Sequence, residues 1–348
     1  MSPHFHSLSI LRTHLNISPL NTGCRIELYG PAGPITDDIE CLHAVTDEYG
    51  RVRLSSGVEF SAYMYRGQTR DHGTCTPTLT RLKTPEKQLL ALCQRIAFED
   101  AIGEHPLVQL AERTQFLNNQ LYVDREGLAQ HYGLATDMLD ITSNFDIATF
   151  FATCNWNENL RQFEPFSDMN VHGVIYRICP VFLDIASQQD SSDDFLHIVG
   201  WQPFPRPELQ RAFAVKLRPG QDFSNINGVE IFRFSHDVVT SHSIWEAFDQ
   251  GRVLFPTDAA AELSIRAKSL FSFTAVQIEL AWQKLGAWTG NDITPEFKAK
   301  IESQCSIQRT PVPSLNWNGL LGNATSEQLQ KQMGEVLSRV RFRLAAYL

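Results

Sequence analysis

Apolar residues recur at two different periods along the chain, and the change of period divides it. From Gly23 to Met64, short runs such as CRIELYG, ECLHAV, RVRLSS and FSAYMYRG are rich in β-branched and aromatic residues. They are separated by Gly30-Pro31-Ala32-Gly33-Pro34 and by Asp47-Glu48-Tyr49-Gly50, which predicts strands and hairpins in a meandering sheet. Beyond position 84 the period becomes helical. Thr84-Pro85-Glu86 puts Pro at a first helical position, and Leu89, Leu90, Cys93, Ile96, Ala97 and Ile102 follow at helical spacing. Further helices are predicted over 106 to 117 and 124 to 132. Strand patterns return at 173 to 178, 212 to 217 and 230 to 234. Near the end, Thr325-Ser326-Glu327-Gln328 has the form of a capping box, with Leu329, Met333, Val336, Leu337, Val340 and Leu344 as an apolar stripe. Arg339, Arg341 and Arg343 crowd its last turn, where cations suit the helix dipole.

Strands, then helices, then strands predict an α+β fold rather than regular βαβ alternation. The expected organisation is an irregular lead-in (1 to 22), one large α+β domain (23 to 265) and a mainly helical C-terminal extension (266 to 348). A chain of 348 residues buries enough surface to need no disulfide or structural metal. Its 22 Phe imply an aromatic-rich core or pocket. Thirty basic against 39 acidic residues, a net charge of -9, argue against general nucleic-acid binding. Seven Cys without a CxxC pair are an odd number, which suits a reducing compartment. No basic leader precedes an apolar run, and no run of ~18 apolar residues is present, so no membrane partner and a cytoplasmic location are expected. Signal-independent export would leave no such trace.

No GxGxxG, Walker A, GxSxG, HExxH or EF-hand motif is present. Three other segments concentrate polar groups. In Tyr65-Arg66-Gly67-Gln68, followed by Pro77-Thr78-Leu79-Thr80-Arg81, a guanidinium at a strand end offers a fork for phosphate or carboxylate, and glycine beside it would let a ligand approach the backbone. The alternative is a structural Arg66 ion pair. In Gln130-His131-Tyr132-Gly133 through Thr136, Asp140, Thr142, Ser143 and Asn144, a strand runs into a helix start. Asp140 and Thr142 would lie beside its positive end, where anionic groups are favoured, or Asp140 would cap its own loop. In Arg206-Pro207-Glu208-Leu209-Gln210-Arg211, an extended chain would put Glu208 and Gln210 on one face, able to stabilise an oxocarbenium-like centre; the alternative is a charged loop. His72 with Cys75 and His236 with His242 have metal-ligand chemistry but no recognisable spacing, so no metal is expected.

Together these segments resemble the FRG domain family. The likeness is carried by Tyr65-Arg66-Gly67-Gln68, Pro77 to Arg81, the Gln130-His131-Tyr132-Gly133 block through Leu139-Asp140-Ile141-Thr142, Thr149-Phe150-Phe151-Ala152, Gly173-Val174-Ile175, Gln210-Arg211-Ala212-Phe213 and Leu254-Phe255-Pro256. It spans residues 60 to 265. The chain departs from the family pattern at Ala135, usually Pro; at Asp137 or Met138, near which Arg is usual; at Ile141, usually Trp; and at Ala212, near which Gly is usual.

The order of the elements also resembles, more loosely, that of ADP-ribosyltransferases, which bind NAD in a cleft of a split β-sheet. This resemblance implies catalytic roles for Arg66, His131, Thr142, Glu208 and Gln210, with the last two on an acidic strand. It implies an NAD site formed by Tyr65, Arg66, Gly67, Gln68, Arg81, Tyr132, Thr136, Asp140, Thr142 and Ser143. The function so implied is NAD-dependent ADP-ribosyl transfer to a macromolecular target by a toxin or defence effector. The alternatives are a non-catalytic nucleotide-sensing or interaction module, and a hydrolase using His131 with Asp140.

Overall fold

A computed structural model describes residues 3–17, 27–30, 33–36, 41–47, 49–56, 62–183, 196–322 and 325–341. Its centre is a mixed seven-stranded sheet. Numbered in chain order, its strands are β1 (His4–Phe5), β2 (Met64–Gln68), β3 (Met138–Thr142), β4 (His172–Ile178), β5 (Leu196–Ile198), β6 (Ala212–Lys216) and β7 (Glu230–Ser235). The spatial order is β1-β7-β4-β2-β3-β6-β5. Every neighbouring pair is antiparallel except β1 with β7. The fold is α+β, as the succession of strand, helix and strand blocks predicts.

Side chains alternate across this sheet and feed two cores. Met64, Leu139, Ile141, Val174, Tyr176, Phe213 and Val215 pack on one face. Tyr65, Ile175, Phe232 and Phe234 pack on the other, beneath a helix rich in Phe. The abundant aromatics thus have a place: Phe145, Phe150, Phe163, Phe232 and Phe234 are buried together, with Phe151, Phe248 and Phe255 against them. Phe213 belongs to the opposite face.

The helices begin where the sequence marks them. Thr84 caps α1 (Pro85–Gly103), whose apolar side buries Leu89, Leu92, Cys93, Ile96 and Phe98. Asp124 caps α2 (Arg125–His131), and Asn144 caps α3 (Phe145–Thr153). A short α4 (Pro205–Leu209) precedes β6; α5 (Ala259–Lys268) and α6 (Ala275–Thr289) follow β7. Helix α5 runs through position 265. The C-terminal α7 (Ser326–Ser338) has the complete capping box, with Thr325 and Gln328 side chains each accepting the other's backbone N–H.

Three expectations from the pattern are corrected. The early strands do not form one meander: Leu42–Thr46 pairs with Val52–Ser56 and Glu27–Gly30 with Gly33–Thr36 in separate sheets, while β2 joins the central one. Residues 3–17 of the lead-in are regular rather than irregular, because β1 extends the sheet alongside β7 and the helix Leu8–His14 buries Leu8 and Leu11. The C-terminal stripe stops at Leu337, and Val340 lies instead on a strand, Val340–Arg341, paired with Leu42. Leu344 and Arg343 lie outside the described residues. No helix among the described residues is long and apolar enough to cross a membrane.

Candidate functional site

Strands β2 and β3 meet in a single residue pair, Tyr65 with Thr142. Each is fully laddered on its other edge, β2 to β4 and β3 to β6. Beyond that pair they diverge, which strands the carbonyl of Asp140 without a backbone partner across the gap. A buried carbonyl needs a donor. Arg66 supplies it, with Nη1 donating to Asp140 O at 2.7 Å.

A cleft of ≈ 140 Å³ opens at this divergence. Tyr65, Arg66 and Gly67 come from β2; Asp140, Ile141 and Thr142 from β3; Ala148 and Phe151 from α3; His131 from the end of α2; and Gln210 from the turn before β6. Strand alternation puts the Asp140 and Thr142 side chains on the face of Tyr65, and Arg66 on the face of Met64 and Cys75. The guanidinium therefore reaches the cleft through the gap rather than over its rim.

The polar groups are held in a fixed order. Gln210 Nε2 donates to Leu254 O at 3.0 Å, which turns Gln210 Oε1 toward His131 Nδ1, 2.9 Å away. An amide oxygen accepts, so Nδ1 carries a hydrogen. On the other side, the Thr136 hydroxyl donates to Gln130 Oε1, which turns the Gln130 amide so that Nε2 donates to Asp140 Oδ2 at 3.0 Å. The remaining oxygen, Asp140 Oδ1, stands 3.6 Å from His131 Nε2. Both atoms are buried and neither makes a hydrogen bond. Two buried polar atoms thus face one another with no hydrogen bond to either.

Several predicted residues enter this arrangement and several do not. Tyr65, Arg66, Gly67, His131, Asp140, Thr142 and Gln210 all border the cleft. Burial raises the Tyr65 hydroxyl to about 12, so it stays protonated near neutral pH. Thr136 acts through Gln130, and Thr142 Oγ1 accepts from Asn144 N at 3.1 Å at the start of α3. Gly67 has a different duty from the one expected. A Cβ there would press on Ala148 O and lie 2.8 Å from Ala152 N, so its missing side chain admits α3 to the strand rather than a ligand.

Gln68 and Arg81 lie away from the cleft: Tyr176 Oη donates to Gln68 Oε1 at 3.3 Å, and Arg81 Nη2 donates to Thr78 Oγ1 at 2.8 Å. Tyr132 is buried among the helices, with its hydroxyl donating to Asp258 Oδ2 at 2.8 Å. Ser143 is not among the lining residues.

Glu208 is the main correction. Residues 205 to 209 form helix α4 rather than extended chain, and Arg211, with φ 45, makes the turn into β6. Glu208 and Gln210 consequently share no strand face. Glu208 pairs with Arg339 at the end of α7, far along the chain, while Gln210 reaches His131. The carboxylate in the cleft is Asp140. Gln130, Ile141, Ala148 and Phe151 were not foreseen as site residues. Gln130 sits beside His131 in the last turn of α2, and the Phe150-Phe151 doublet was the visible sign of an aromatic wall. Among the described residues no three His, Cys, Asp or Glu side chains gather to hold a metal ion.

Fold and site thus define an α+β protein whose central sheet parts around a cleft where His131 faces Asp140. The FRG domain family model matches residues 61–160, and the chain carries an FRG domain over that stretch. The match includes every cleft residue except Gln210. No curated protein and no solved structure matches the chain, so the likeness to ADP-ribosyltransferases rests on the residues alone.

Proposed function

We propose that the cleft binds the nicotinamide-ribose end of NAD and cleaves its N-glycosidic bond, passing ADP-ribose to water or to a macromolecular nucleophile. The observation that carries this is the facing pair of Asp140 Oδ1 and His131 Nε2, buried, free of hydrogen bonds and 3.6 Å apart. An attacking water, with two hydrogens, would serve both atoms, and a ribose hydroxyl, with one, would serve Asp140 or His131 alone. The cleft is smaller than the ~300 Å³ at which ordinary ligand pockets begin, which suits one end of a dinucleotide better than the whole.

In the reaction, the bond from C1′ to the nicotinamide nitrogen breaks and its electron pair neutralises the pyridinium, so nicotinamide leaves without needing a proton. Asp140 lies where the positive charge of the oxocarbenium develops; a preorganised charge in a water-poor site is a strong catalytic contribution. The incoming O–H adds to C1′ and gives its proton to His131 Nε2, whose ring Gln210 holds in the required tautomer. Arg66, which borders the cleft, would offer a donor to ribose oxygen or phosphate.

The test is release of nicotinamide from NAD by the purified chain, with and without a cell lysate. Wild type is expected to release it. Asp140→Asn and His131→Ala should each lower the rate by roughly 100-fold or more, whereas Glu208→Gln should leave it unchanged. Failure of the wild-type chain to release nicotinamide, or an undiminished rate in Asp140→Asn, overturns the proposal.

A further inference from the structure

A second cavity lies at the other end of α2. Its volume is ≈ 210 Å³, larger than the cleft, and Glu126 in the first turn of α2 borders it as His131 in the last turn borders the cleft. Asp137, just before β3, and Lys216, at the end of β6, add further charge from the sheet; Arg95 comes from α1 and Lys284 from α6.

These charges do not all cancel one another. Arg95 is 2% exposed and is held by Glu126 Oε1 at 2.7 Å and Glu99 Oε1 at 3.1 Å. Lys216 Nζ takes the other oxygen of Glu126 at 3.3 Å. Both oxygens of Glu126 are therefore engaged. Three groups are left over. Asp137 Oδ1 is buried without a hydrogen bond, its nearest cation being Arg95 Nη1 at 3.9 Å. Lys284 makes no close ion pair among the described residues, although its charge acts on Glu99 and Glu126, and Arg218 is exposed at the rim. Apart from Gln221, the rest of the wall is apolar, chiefly Leu79, Leu92 and Trp288.

A buried acceptor without a donor, two cations outside any close ion pair and an apolar wall suit a ligand that brings all three complements. An acid lacking an N–H donor would leave Asp137 unsatisfied, and an amine lacking an acid would meet the cations Lys284 and Arg218 with no carboxylate to offer them. Unsatisfied buried polar groups are the costly case. We infer that this cavity binds a small zwitterion, a free amino acid with a large apolar side chain, its ammonium at Asp137, its carboxylate at Lys284 and Arg218, and its side chain over Leu79, Leu92 and Trp288. Burial and the neighbouring Glu126 hold the Asp137 carboxyl above its ordinary range, a cost that an ammonium partner would relieve.

Thermal unfolding of the full chain tests this with free leucine, phenylalanine and tryptophan, each beside its amide and its N-acetyl form. Since ligand binding to the native state raises Tm, at least one free amino acid should raise it, and the forms lacking carboxylate or ammonium should not. Lys284→Gln and Asp137→Asn should each weaken the response by about tenfold or more in apparent affinity. No shift with any of the three overturns the inference, as does an equal shift with amide or N-acetyl derivatives, which would reduce the site to its apolar wall. A shift with AMP but none with amino acids also overturns it and gives the cavity to a nucleotide. The comparison of ligands on wild type decides the matter even if a variant fails to fold.

Discussion

At position 67 even a methyl group is too much. The Cβ of alanine there would press on the Ala148 carbonyl oxygen and stand 2.8 Å from Ala152 N and 2.9 Å from Ala148 C, all backbone of α3 that has no side-chain freedom with which to yield. Gly67→Ala is expected to lower unfolding free energy by about 3 kcal/mol or more, at the upper end of overpacking costs, measured by urea denaturation. Wild-type stability in that variant would show that α3 is not seated on β2 as described. The same residue illustrates what a sequence conceals. Arg-Gly at a strand end was legible as a special place, but whether the glycine receives a ligand or a helix depends on chain that lies 81 to 85 residues further on. Asp140 was legible as a site residue. Its role as the cleft carboxylate became visible only once Glu208 was found paired with Arg339, a partner 131 residues away.

Among the elements, α2 is the one on which both cavities depend, and its start is anchored by charge. Asp124 is 1% exposed, accepts from Gly127 N at 2.9 Å to cap the helix, and pairs with Arg53 at 3.3 Å and with His197. Burial alone would raise its carboxyl, but His197, Arg53 and the Gly127 amide outweigh burial and hold it well below the ordinary 3.8. A carboxylate depressed in the native state contributes its stability in full above the unfolded value and loses it as pH falls toward the native one. Thermal stability should therefore decline below about pH 4. Asp124→Asn should flatten that decline and cost about 3–5 kcal/mol at pH 7, the usual penalty for breaking a buried pair. An unchanged acid limb in a scan of Tm against pH would contradict this assignment. The helix starts of α1 and α7 could be read because capping is local, within four residues. Helix α4 had a local sign as well, Pro205 at its first position, but the charged residues around it suggested an extended segment instead.

At the scale of the molecule, the stretch that matches the FRG family supplies only β2 and β3 of the seven central strands. Taken alone it would expose the outer edge of each and retain one residue pair between them. Residues 61–160 expressed as a fragment are expected to lack cooperative unfolding and near-ultraviolet circular dichroism, whereas the full chain should have both. A folded fragment would overturn that dependence. Separate blocks of strand and helix patterns disclosed the α+β class, but strand order could not be read, since β4, β6 and β7 enter the sheet from far beyond the motif and the lead-in adds β1. The partly laddered sheet has a mechanical consequence as well. It is two plates held at one stitch, so a change in the width of the gap disturbs no row of backbone bonds. It is opposed by the Tyr65–Thr142 pair and by one guanidinium contact, Arg66 to Asp140. A ligand reaching for that guanidinium would be pulling on the clasp that sets how far apart the plates stand.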